Sequence, residues 1–168
     1  MDHPSLYDDD IVTWSEEQAA ALRALAGRPE LSNILDWAMV VEEIESVGRS
    51  EIGKVESAVT LILVHVLKYA SAPAAQSTSS WRTEVITFQG SARRSYRRSM
   101  RQRIDWNDLW AMSKTRAGSE LAMFGDRIID GLPAVMPFTP EELTARDFTM
   151  DFALERIAAL LARHDERH

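Results

Sequence analysis

"LDWAMVVEEIESVGRSEIGKVESAVTLILVHVLKYA", residues 35–70, decides the fold. Leu35, Val41, Ile44 and Val47 recur at helical spacing, and Ile52, Val55, Val59, Ile62, Val66 and Tyr69 continue the pattern without losing phase. Gly48 and Gly53 sit inside it, each costing roughly 1 kcal/mol against alanine. The unbroken phase predicts one long helix from about Ser32, capped by Ser32 or Asn33, with a second half apolar on most sides, as in a central helix.

Shorter helices are expected around it. "TWSEEQAAALRALAG" opens with Thr13 and Glu16 in capping-box spacing and ends at Gly27 and Pro29; Ile11 shares its apolar stripe, so an earlier start near Tyr7 to Asp10 is also allowed. "SAPAAQSTSS", residues 71–80, reads as a loop. Further helices are expected from Trp81, over Asp105 to Phe124, over Thr139 to Phe148 with a capping box at Thr139 and Glu142, and over "DFALERIAALLARH". No period-two alternation and no internal repeat appear. The expectation is an all-α, up-and-down helical bundle, four-helix-bundle-like in its core, forming one domain over 1–168 with short extra helices toward the C-terminus.

The 168 residues include no cysteine, which excludes disulfides and thiolate chemistry and permits a reducing compartment. "MDHPSLYDDD" lacks the basic start and apolar run of a signal peptide, and "AVTLILVHVL", residues 58–67, is about half the length of a membrane span. The expected location is the cytoplasm, with no membrane contact.

Five stretches, "LYDDDIVTW", "LDWAMVVEEIESVGRSE", "HVLK", "SW" at 80–81 and "PFTPEELTARDF", occur in the order seen in the bacterial domain-of-unknown-function 29 family. The chain resembles that family over residues 6–148; residues 149–168, the last helix, lie outside the resemblance. It departs from the family pattern at "QGSARRSYRRSM". The resemblance implies an all-helical, four-helix-bundle-like domain and implies no activity.

Two charged groups are candidates for function. Glu42, Glu43 and Glu45 form an acidic cluster with Arg49. Paired carboxylates bind divalent metals or work as acid and base. A di-metal bundle, however, needs Glu-x-x-His motifs that are missing here. The simpler reading is a solvated or salt-bridged face. His65, the interior histidine, is expected to be a neutral imidazole bonded to a carbonyl or carboxylate. A metal site built from His65 with Glu42 or Glu45 would require a helix break or a second subunit, because 20 residues of continuous helix span about 30 Å. No phosphate loop and no nucleophile elbow occur, so no catalytic residue, metal or cofactor is assigned. The five tryptophans read as core or bundle-end residues.

The second group is "RRSYRRSMRQR", residues 93–103, with six of the 19 basic residues; the remainder has 13 basic against 26 acidic residues, a balance of −13. Phased at 100° per residue from Trp81, Arg93, Arg94, Arg97, Arg98 and Arg101 fall on the outer face of a helix whose inner face carries Val85, Phe88 and Ala92; Arg103 is off the stripe. Like charges at helical spacing repel, so acids should offset them. The protein's own carboxylates, a protein partner (a second copy included) and nucleic-acid phosphates are the three options. The sequence pI of about 5.1 disfavours nucleic acid. A non-enzymatic protein acting through protein–protein interaction is the leading expectation; a carboxylate or histidine site in the bundle, or nucleic-acid contact through the arginines, are the alternatives.

Overall fold

The computed structural model describes residues 5–28, 30–31 and 35–165. Among these residues every regular element is helical: α1 (Leu6–Asp9), α2 (Ile11–Ala26), α3 (Trp37–Ser71), α4 (Thr78–Ser95), a 3₁₀ helix (Arg98–Gln102), α5 (Trp106–Ala122), α6 (Pro140–Thr144) and α7 (Met150–Asp165). The all-helical class is therefore as the sequence implies. The chain divides into two compact units, Met1–Lys54 with Arg97–Ile104, and Val55–Tyr96 with Asp105–His168.

Helix α3 is continuous for 35 residues, straight through Gly48 and Gly53. It starts later than expected, at Trp37, with the Asp36 carboxylate accepting from the Met39 amide at 3.2 Å. Leu35 precedes the helix and is exposed; Ser32 and Asn33 lie outside the described residues.

In the first unit, α2 begins at Ile11 because Asp10, and not Thr13, is the cap: its side chain accepts the Thr13 amide at 3.1 Å and the Thr13 hydroxyl at 3.0 Å. The expected Thr13–Glu16 box does not form. Glu16 instead takes the guanidinium of Arg103, whose Nε donates to it at 2.6 Å. Against α2 packs the first half of α3, through Gly48. A Cβ on Gly48 would fall well inside contact distance of the Ser15 hydroxyl, which is buried and donates to the Val12 carbonyl at 2.8 Å. That close approach is why a helix interior accepts a glycine here.

In the second unit, a helical bundle, the later half of α3 meets α4 through His65–Glu84 and α5 through Lys68–Glu120, and α4 meets α7 through Arg82 and Asp151, 2.8 Å apart. Seven consecutive residues, Ile62 to Lys68, are buried, so this stretch has no solvent face. Val85 and Ala92 of α4, Trp110, Ala117 and Leu121 of α5, and Ala153 and Ile157 of α7 are also buried. The irregular segment between α5 and α6 is tied down by polar bonds. The Trp110 indole donates to the Pro133 carbonyl at 2.8 Å, and the Ile129 amide donates to the Ser71 hydroxyl at 3.0 Å. The Thr139–Glu142 capping box forms as expected, but α6 stops at Thr144 instead of reaching Phe148. Ala145 turns extended and its carbonyl accepts the Gln89 side chain of α4.

The two glycines of α3 give a paired test. Gly48→Ala should destabilise the protein by about 1–3 kcal/mol through overpacking. Adding Ser15→Ala should recover much of that loss, since the next atoms, Ser15 Cβ and the Val12 Cα, stand at ordinary distances of 3.6 and 3.7 Å. Gly53→Ala meets nothing within 4 Å and should stabilise by roughly 0.5–1 kcal/mol. Urea denaturation of the three variants beside the parent protein reads all three outcomes.

Candidate functional site

The arginine segment is not one helix face. Helix α4 ends at Ser95; Tyr96 (φ −64°, ψ 134°) and Arg97 (φ −126°, ψ 149°) are extended, and a 3₁₀ helix follows. Arg93 and Arg94 are exposed in the last turn of α4, whereas Arg98 and Arg101 are exposed on the 3₁₀ helix. The cause is apolar phase. Had α4 continued, Met100 would stand about 100° from Trp81, outside the core stripe. The break instead leaves Met100 fully buried and Ile104 nearly so. In the first unit Arg97 donates from Nε to the Asp9 carbonyl at 2.8 Å, and Arg103 holds Glu16. Glu16 is one carboxylate that neutralises an arginine of this segment, and the residue it serves, Arg103, is the one off the predicted stripe.

The acidic cluster resolves into surface ion pairs. Arg49 reaches Glu42 at 2.5 Å, with both side chains more than half exposed, and Arg23 reaches Glu45 at 2.7 Å. Glu43 is exposed. Exposed pairs of this kind contribute about 0–1 kcal/mol. Because α3 is unbroken, Glu42 and Glu45 cannot converge with His65 within one chain. Among the described residues no three histidine, aspartate or glutamate side chains gather in a way that could hold a metal ion.

The chemically distinctive place is in the second unit, where α3 buries two polar residues one turn apart. His65 is 7% exposed; its Nε2 meets the Glu84 carboxylate of α4 at 2.6 Å, and its ring stacks on Phe88. Of the two partners the sequence allows, a carbonyl or a carboxylate, it is a carboxylate that meets the imidazole. Nδ1 is buried without a hydrogen-bond partner among the described residues. Lys68 is 9% exposed. Its ammonium donates to Glu120 of α5 at 2.7 Å and stands 5.1 Å from the centre of the Trp81 ring. Glu120 also accepts from Arg116 at 2.8 Å. Burial alone would raise the Glu120 carboxyl, yet the bonds from Lys68 and Arg116 hold it below the usual range.

Beside Lys68 lies a pocket of about 400 Å³ lined by Gln76, Trp81, Glu120, Phe124 and Asp126 among others. Its outer corner is built by the end of α5. The Asp126 amide donates to the Leu121 carbonyl and the Gly125 amide to that of Ala122, both at 3.1 Å, with Gly125 at φ +80°. This is a Schellman motif with glycine at the left-handed position. It displays Met123 and Phe124, which are 77% and 84% exposed. A larger groove of about 540 Å³ lies along α7, but its Arg156 is spent on Glu142 at 2.7 Å and the Pro137 carbonyl at 2.9 Å.

Sequence reading singled out His65 here and missed Lys68, Trp81, Glu84, Glu120, Phe124 and Asp126. Two signals were present. Lys68 interrupts an apolar run one turn after His65, and "MF" stands directly before a glycine where the α5 pattern ends.

Two outcomes test this geometry. Burial, the largest influence, pushes the His65 imidazole below its usual 6.5, with Lys68 adding to the depression and Glu84 opposing it. The folded state therefore binds fewer protons than the unfolded chain as pH falls below about 6.5, and stability should decline over that window. In His65→Gln that part of the slope should vanish, while the loss below about pH 4.5 from Glu16, Glu120 and Glu142, all held low by arginine or lysine, should persist. Thermal melts across pH measure both. At the corner, Gly125→Ala has free space for its methyl, so its cost should be the backbone term alone, about 1–2 kcal/mol.

Comparison with known proteins places this architecture. The crystal structure of an alpha-helical protein of unknown function from Rhodospirillum rubrum superposes with a TM-score of 0.82 at 31% identity, covering 93% of this chain and 99% of that one. No curated protein matches the chain. The model of the domain of unknown function DUF29 matches residues 6–149, and the last helix, α7, follows the matched stretch. The chain belongs to the DUF29 family.

Proposed function

We propose that this protein is a non-enzymatic binding module that engages a polypeptide partner through the Met123–Phe124 corner. The observation that carries the reading is the near-complete exposure of two large adjacent apolar side chains on a backbone motif that fixes their direction. Aromatic and methionine side chains are enriched in interface cores, and an aromatic anchor in a partner's pocket commonly dominates binding energy. Half-buried Trp81 on the same pocket lining extends the apolar surface. The absence of cysteine suits work in a reducing compartment such as the cytoplasm. No helix among the described residues is long and apolar enough to cross a membrane.

A nucleic-acid role draws less support. The arginines from 93 to 101 are divided between a helix end and a separate 3₁₀ turn, so they offer no continuous stripe of positive charge along one helix.

A photo-cross-linking residue at position 124, expressed in the native host, should yield a discrete polypeptide adduct that weakens when Met123→Ser is added. The same residue at Ile86, itself 73% exposed on α4, is the control for exposure alone. Equal adducts from both positions, or none from 124, would remove the proposal.

A further inference from the structure

The pocket behind Phe124 has an arrangement of charge that a purely apolar partner leaves unused. Lys68 and Arg116 both donate to the single carboxylate of Glu120, so these three groups, of which Lys68 is the buried one, sum to one positive charge. An ammonium has three donors, and Glu120 takes one from Lys68. On the same lining stands Asp126, an exposed carboxylate of opposite sign. Trp81 and Phe124 also line the pocket. A ligand bearing only negative charge would meet Asp126, and one bearing only positive charge would meet Lys68. A molecule carrying both charges on an apolar body satisfies each. The volume of about 400 Å³ lies near the lower end of the ~300–1,000 Å³ typical of small-molecule sites.

We infer that this pocket binds a small apolar zwitterion of the amino-acid type, its carboxylate received by Lys68, its ammonium by Asp126, and its body by Trp81 and Phe124. The interaction is non-covalent; it shares Phe124 with the proposed polypeptide contact, and it is tested on the protein alone. Binding adds a second acceptor to a largely desolvated ammonium, where charge-assisted hydrogen bonds are strongest.

The test is a titration of the whole protein, followed by the Trp81 indole N–H resonance assigned with Trp81→Phe. The probes are L-phenylalanine and para-(aminomethyl)benzoate, which carry the same two charges at short and long separation. At least one should shift the Trp81 signal at millimolar concentration. Its N-acetylated and amidated forms, each missing one charge, should bind about tenfold more weakly. Asp126→Asn should erase the discrimination against the acetylated form, and Lys68→Met that against the amide. Should Lys68→Met fail to fold, the exposed Asp126→Asn and the capped probes still decide. No shift from either zwitterion, or equal binding of the capped forms, overturns the inference.

Discussion

A helix buried on every side has nowhere to send its polar atoms except to its neighbours. The stretch of α3 from Ile62 to Lys68 is such a helix, and it carries an imidazole and an ammonium. Hydrophobic burial of its valines and leucines drives the bundle together, but it is indifferent to small shifts and rotations. The two polar groups are not. An ammonium that lost Glu120 would be left charged in a largely dry environment, a cost of roughly several kcal/mol. The bonds from Lys68 to Glu120 and from His65 to Glu84 therefore fix where α5 and α4 pack against α3 in the second unit.

The first unit solves a different problem with a smaller device. Its helices meet where Gly48 has no side chain and Ser15 turns its hydroxyl inward to the Val12 carbonyl. The missing methyl lets α2 and α3 approach closely, and the buried hydroxyl is satisfied within its own helix. The extended link at Tyr96–Arg97 serves packing as well, since it brings Met100 into the core.

Much of this was legible in the sequence, for identifiable reasons. The continuity of α3 through two glycines followed from apolar phase, which is a property of periodicity and survives two weak helix formers. The Thr139 cap followed from a local motif whose partners lie three residues apart. What failed were readings in which tertiary contacts outweigh local pattern. Asp10 displaced Thr13 as cap, and α4 stopped at Ser95 although its arginines kept helical spacing. Met100 and Ile104, apolar yet out of phase, were the overlooked sign of that stop. The pocket stayed invisible because Lys68, Trp81, Glu120 and Phe124 come from three helices and a turn, and no spacing along the chain relates them.

The corner after α5 separates what is shown from what holds it. Its geometry rests on the backbone bonds of Phe124, Gly125 and Asp126 and on one glycine, while Met123 and Phe124 are largely exposed to solvent. Substitutions at these two positions thus lie outside the forces that keep the protein folded. Such a site can drift through apolar, polar or charged residues at little cost to stability. The surface chemistry of the corner is thereby uncoupled from the stability of the backbone that presents it.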